Sequence, residues 1–297
     1  MSDGVVPTLA ELVALRASAQ ARRPARRGRI GVSGQAPSPL RGRGMEYAES
    51  RGYALGDDAR HIDWRLTARS GKPHTKLFQA ERERLTLIVA DTAPALYFGT
   101  RVRFKSVQAA RAGAVAAWAA VRDGDRVAAL RGSTREPPVP PASGPRGALR
   151  VLDALARWYA QPPADDAGLE VALDHAQRLL RPGSRVLLLA DPLAIQAVPA
   201  RRWPALSLHH EVVVLLLQDP LERDPPHALL PFATSGAGRM EVDLARAGTR
   251  ARWRAAFVEP AEAVTTSLKA RGIRAIALSA DVPSDAWLDA FGRAGAA

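Results

Sequence analysis

Residues 85–91 read LTLIVAD, residues 185–191 read RVLLLAD, and residues 212–219 read VVVLLLQD. Each is a short apolar run closed by an aspartate. A strand with one wet face alternates polar and apolar side chains, whereas a strand buried on both faces reads as an unbroken apolar run. Three such runs predict strands of a parallel sheet covered by helices on both sides. Helical spacing follows the first run at Phe104–Arg122 and recurs at Leu149–Ala160 and Leu169–Leu180, the last stopped by Pro182-Gly183. Further strands are predicted at Arg126–Leu130 and Ile273–Leu278, with a shorter one near Met240–Leu244. Gly132–Pro145 reads as a loop, Arg252–Arg271 as a helix broken near Pro260, and Asp285–Arg293 as a last helix. Alternation of this kind predicts an α/β class protein with a doubly wound, mostly parallel sheet.

The rest of the chain differs from this region. Of 297 residues, 42 are Lys or Arg and 30 are Asp or Glu, a formal charge of +12. Residues 1–84 hold 16 of the cations and 9 of the acids. Leu12–Met45 carries eight Arg and no acid, interrupted by Gly and Pro. Leu9–Ala19 reads as a short helix and Arg22–Arg43 as a basic loop. The expected division is therefore a module at 1–84, made of a basic arm and a charged, aromatic segment, and an α/β domain at 85–297.

Several function classes are excluded by composition. With no cysteine there is no disulfide scaffold, thiolate metal site or Cys nucleophile, which fits a reducing cytoplasm. No apolar run approaches the roughly 20 residues of a spanning helix. There is no G-x-S-x-G elbow and no Walker A lysine, and Gly28, Gly31 and Gly34 lack both the spacing and the preceding strand of a dinucleotide loop.

Two constellations remain. The first is the set of strand-end aspartates Asp91, Asp191 and Asp219, placed where open α/β sheets bind ligands. Carboxylates there suit a hard cation such as Mg²⁺, while Asp191-Pro192 and Asp219-Pro220 also read as ordinary turns. The second is the segment GMEYAESRGYALGDDARHIDWRLTAR at 44–69. Its charges alternate in sign, with Tyr47, Tyr53 and Trp64 interleaved. This pattern predicts a compact ion-pair network anchored by buried Tyr and Trp, since Arg pairs well with carboxylates.

That segment resembles the signature of the domain-of-unknown-function family 58. The residues that carry the match are Gly44, Glu46, Glu49, Arg51, Tyr53, Gly56, Asp57, Asp58, Arg60, Ile62, Asp63, Trp64, Ala68 and Arg69, with Tyr47 where Phe is usual. The resemblance implies a fold similar to the von Willebrand factor A domain and association with a MoxR-type AAA+ ATPase in maturing client proteins, with no enzymatic activity. The A-domain metal site uses two hydroxyls after the first strand, a Thr from a second loop and a later Asp. Here the first element is Asp91-Thr92-Ala93-Pro94-Ala95, the second loop is Asp165-Asp166-Ala167-Gly168, and Asp191 stands at the last position. Only Asp91 and Asp191 remain as metal candidates, a degenerate site. Many similar chains begin with two membrane helices, so the resemblance is to a shorter, soluble branch.

The expectation is a cytoplasmic, non-enzymatic adaptor with no cofactor. It would use Glu46, Arg51, Tyr53, Gly56, Asp57, Asp58, Arg60, Asp63, Trp64 and Arg69 as its interaction surface. The alternatives are nucleic-acid binding through the Arg-rich arm, with affinity falling steeply in salt, and an Mg²⁺-dependent hydrolase built on the three strand-end aspartates.

Overall fold

A computed structural model describes residues 4–21, 45–54, 56–80, 84–234 and 238–291. The chain divides into two compact units, residues 1–27 with 84–297, and residues 28–83. In chain order, helices α1 (Leu9–Ala14) and α2 (Arg16–Ala21) belong to the larger unit. The smaller unit contains strand β1 (Met45–Gly52), a 3₁₀ turn at Ala59–His61, helix α3 (Trp64–Ser70) and strand β2 (His74–Ala80).

The larger unit continues with β3 (Leu85–Ala90), α4 (Lys105–Arg122), β4 (Arg126–Arg131), β5 (Val139–Ala142), α5 (Gly144–Trp158), α6 (Gly168–Leu179) and β6 (Arg185–Ala190). Then come α7 (Pro192–Ala197), α8 (Arg202–Ser207), β7 (Glu211–Gln218), α9 (Pro220–Arg223), β8 (Leu229–Thr234) and β9 (Gly238–Asp243). The last elements are α10 (Ala247–Trp253), a π turn at 254–258, α11 (Glu259–Lys269), β10 (Arg274–Ser279) and α12 (Leu288–Phe291).

Six strands form one sheet in the order β10-β7-β6-β3-β4-β5, parallel throughout except for the edge strand β5. Numbered along the chain within the sheet, that is the order 3-2-1-4-5-6, in which the first strand, β3, lies beside the fourth, β6. The connections part at this junction, so the carboxyl ends of β3 and β6 mark the topological switch point.

The apolar runs are continuous because alternate residues serve opposite faces. Ile88, Ala90, Leu187, Leu189, Val213 and Leu215 pack with α4 and α5 on one side. Leu87, Val89, Val186, Leu188, Val214 and Leu216 pack under the helices of the other. Helix α4 lies close on the sheet at Gly113, where an added Cβ would come within 2.8 Å of the Leu155 side chain and 3.1 Å of Leu189. At the opposite, amino-terminal edge, Glu211 accepts from Arg84 at 3.3 Å and from Arg185 at 3.1 Å, and also pairs with Arg274, drawing four strand starts together.

The structure changes several expectations. The helix expected at Leu9–Ala19 is two short helices, and both belong to the larger unit. Leu12 and Ala19 are fully buried, the Trp118 indole donates to the Leu12 carbonyl, Arg122 donates to the Ala19 carbonyl, and Arg111 pairs with Glu11. Arg16, read as part of a basic arm, lies 5.3 Å above the Trp118 ring. The expected loop 22–43 lies outside the described residues. The stretch read as loop at 132–145 contains β5, an edge strand where proline is tolerated. The strand expected near Met240 is half of a separate antiparallel hairpin with β8. The break expected near Pro260 is a π turn that ends where α11 begins, with the proline in the first helical turn.

Candidate functional site

Two places deserve description as sites, the rim of the large sheet and the signature of the smaller unit. On the rim, the strand-end aspartates do cluster, and each is already engaged. Asp91 is 2% exposed. Its Oδ1 accepts from the Ala93 amide and its Oδ2 from the Asp191 amide, both at 2.9 Å, so the two strand ends at the switch point are hydrogen-bonded to one another. Burial raises the Asp91 carboxyl to about 6, and the nearby charges of Asp191 and Asp166 push the same way, against the two amides.

Asp191 caps α7 through Oδ1, which accepts from the Leu193 amide at 2.9 Å. Its Oδ2 accepts from Lys105 Nζ at 2.9 Å. Lys105 is the first residue of α4 and its side chain is only 2% exposed. The same ammonium donates at 2.6 Å to Glu222 Oε1, while Glu222 Oε2 accepts from the Asp219 amide at 2.8 Å. Asp219 in turn caps α9 and accepts from Thr100 twice, at 2.5 Å from the hydroxyl and 2.9 Å from the amide.

One chain of contacts thus runs Asp91–Asp191–Lys105–Glu222–Asp219–Thr100. Burial opposes the ammonium, but Glu222 and Asp191 outweigh it and hold Lys105 above the usual lysine range. Two acids share one base, so burial prevails at Glu222 and lifts its carboxyl. Thr92, one residue out of register for the A-domain pattern, donates to Asp166 Oδ1 at 2.8 Å. Glu222 and Lys105 were not singled out by the sequence reading. Asp219-Pro220-Leu221-Glu222 does carry the capping-box spacing, and both bonds of the box form. Nothing local in the sequence marks Lys105.

The donor set does not fit a divalent cation. Both Asp91 oxygens hold backbone amides, and the free side of Asp191 holds an ammonium. Among the described residues, no group of three or more His, Asp or Glu is placed to hold a metal ion. Asp219 lies in the same chain of contacts, but its oxygens face Thr100 and its own helix.

In the smaller unit, β1 and β2 pair antiparallel with a bulge between Tyr47 and Glu49. The side chains of Glu46 and Glu49 lie outside the described residues. Asp57 accepts from the Ala54 amide at 2.9 Å and pairs with Arg51 at 2.6 Å, and its carbonyl receives the Tyr53 hydroxyl at 3.0 Å. The Ala54 amide and Arg51 hold the Asp57 carboxyl below its usual range. Asp58 caps the 3₁₀ turn. Asp63 caps α3 through the Leu66 amide at 3.1 Å and accepts from Ser50 at 2.9 Å, and both bonds hold its carboxyl low. Gly56 has φ +102°, a conformation that L side chains rarely adopt.

The expected network of ion pairs around buried aromatics is corrected here. The acids mainly hold backbone amides, because short Asp side chains reach the amides two or three residues on. Tyr53 is half-buried, and Trp64 is 70% exposed. Trp64, Arg65, Ala68 and Arg69 form one exposed stripe of α3, since residues one turn apart share a face. Arg60 and Arg69 make no ion pair among the described residues.

The larger unit is an α/β domain with a doubly wound, mostly parallel sheet, and the described residues of the small signature unit form two strands, a 3₁₀ turn and a helix. The family described as "Protein of unknown function DUF58" matches residues 49–263. Uncharacterized proteins of Mycobacterium tuberculosis (Rv1480 in strain H37Rv) and Mycobacterium bovis (Mb1516) are 32% identical over 205 residues, covering 67% of this chain and 63% of theirs. The chain therefore belongs to the DUF58 family, and its matched region spans less than two thirds of the length of those relatives. Among the described residues, no helix is long and apolar enough to cross a membrane.

Proposed function

We propose that this chain is a non-enzymatic interaction protein that works with a MoxR-type AAA+ ATPase in the maturation or assembly of client proteins. Its sheet domain is read as von Willebrand factor A-like with a degenerate metal site. The strand order and the antiparallel edge strand β5 support that reading of the fold. The observation that carries the functional reading is the commitment of the rim carboxylates. Asp91, Asp191 and Asp219 are each held by amides, Lys105 or Thr100, so none is left to share a cation with a partner's carboxylate.

Recognition would then rest on surface side chains. The exposed stripe of α3 supplies them, because Trp and Arg dominate binding energy at protein interfaces and Trp64 is largely free of the fold. Excess positive charge speeds encounter with an acidic partner.

The test is co-purification with a MoxR-type ATPase from the same genome, with and without ATP. A complex is expected, weakened at least tenfold by Trp64→Ala or Arg69→Ala with the melting temperature unchanged. Absence of a complex under both conditions, together with ATPase turnover unaffected by the protein, overturns the reading.

A further inference from the structure

The crevice at the switch point of a doubly wound sheet normally admits a ligand. Beside that crevice, a side chain of the protein itself bridges the carboxyl ends of β6 and β7. Lys105 enters from the start of α4 and places its ammonium between Asp191 Oδ2 at 2.9 Å and Glu222 Oε1 at 2.6 Å. We propose that Lys105 is a tethered counterion standing where a divalent cation would otherwise sit, so that truncating it turns the Asp191–Glu222 pair into a hard-cation site. The proposal concerns the interior of the larger unit and is independent of any partner ATPase.

Three observations carry it. Each carboxylate is pinned by a backbone amide through its other oxygen, Asp191 by Leu193 and Glu222 by Asp219. Their orientation therefore survives loss of the lysine, leaving one oxygen of each aimed at the vacated position. Both carboxylates also border a cavity of about 40 Å³, with Gln218 and Phe257 in its wall. That is room for a water beside an ion, and the truncated lysine stem adds more. Lastly, the polar groups offered are oxygens, the donors that Mg²⁺, Ca²⁺ and Mn²⁺ prefer.

The experiment compares wild type and Lys105→Ala by thermal melting in EDTA and in millimolar MgCl₂, CaCl₂ or MnCl₂, with NaCl matched for ionic strength. Wild type should not respond. Lys105→Ala should melt lower in EDTA and recover by about 3–8 °C with at least one divalent cation. Adding Asp191→Asn should abolish the recovery. A folded Lys105→Ala protein that ignores all three cations overturns the proposal, as does stoichiometric Mn²⁺ binding by wild type that Asp191→Asn removes. If Lys105→Ala folds under neither condition, the neutralised variant Lys105→Met/Asp191→Asn/Glu222→Gln decides. It removes the charges along with their counterion and should fold, and its failure overturns the counterion role.

Discussion

Asp91 illustrates how burial and hydrogen bonding compete at one carboxyl. Two amides favour its charged form, and burial disfavours it more strongly, giving a folded value of about 6 against 3.8 for the free group. The folded protein therefore binds the proton more tightly than the unfolded chain does. The stabilisation is complete below about pH 4 and is lost as pH rises through 6. A shift of this size corresponds to about 3 kcal/mol. Urea titrations across that window should show the stability of wild type, relative to Asp91→Asn, falling by about that amount between pH 4 and 7. Parallel curves would mean that the carboxyl is not perturbed in the fold. Lys105 is the complementary case, since a buried base whose two acids hold it charged keeps its proton throughout the range.

Among the elements, the segment from β1 to α3 depends on backbone conformation as much as on its charges. The chain leaves β1, turns through Gly56, makes a 3₁₀ turn capped by Asp58 and enters α3 capped by Asp63. A Cβ at Gly56 would meet no neighbouring atom, so substitution costs only the strain of φ +102°. Gly56→Ala should destabilise the smaller unit by about 1–2 kcal/mol, read as a lower midpoint of urea unfolding for that unit. An unchanged midpoint would show that the turn is not held in this conformation. The segment was legible as a motif, but the roles of its members were not. Alternating signs pointed to ion pairs, whereas Asp57, Asp58 and Asp63 lie beside amides that their short side chains reach first. Trp64 was expected inside and stands outside, because α3 turns Leu66 and Thr67 inward instead.

At the scale of the molecule, the described segment 4–21 belongs to the same unit as the sheet. The fully buried Leu12 and Ala19 and the Arg111–Glu11 pair hold that segment on the helical layer. Replacing residues 28–83 by a flexible Gly/Ser linker should leave a cooperative thermal transition and the far-ultraviolet circular dichroism of an α/β domain. A broad, non-cooperative melt would show that the sheet depends on the signature unit. Removing residues 1–27 instead should expose the packed surface of α4 and lower the transition.

The apolar runs at 85–90, 185–190 and 212–217 determined the parallel sheet by themselves, because a strand covered on both faces has no polar positions to spare. The strand-end aspartates were legible for the same reason, since each closes a run with a residue that caps the next turn. What fills the space between them was not legible. Lys105 lies 86 positions from Asp191 and 117 from Glu222, and no local periodicity links residues so far apart. A lysine at the start of a helix reads as solvated until the chain is folded, when the rim places two pinned carboxylates around it. The sequence determined where carboxylates would gather, and the tertiary structure decided which of the chain's own groups would neutralise them.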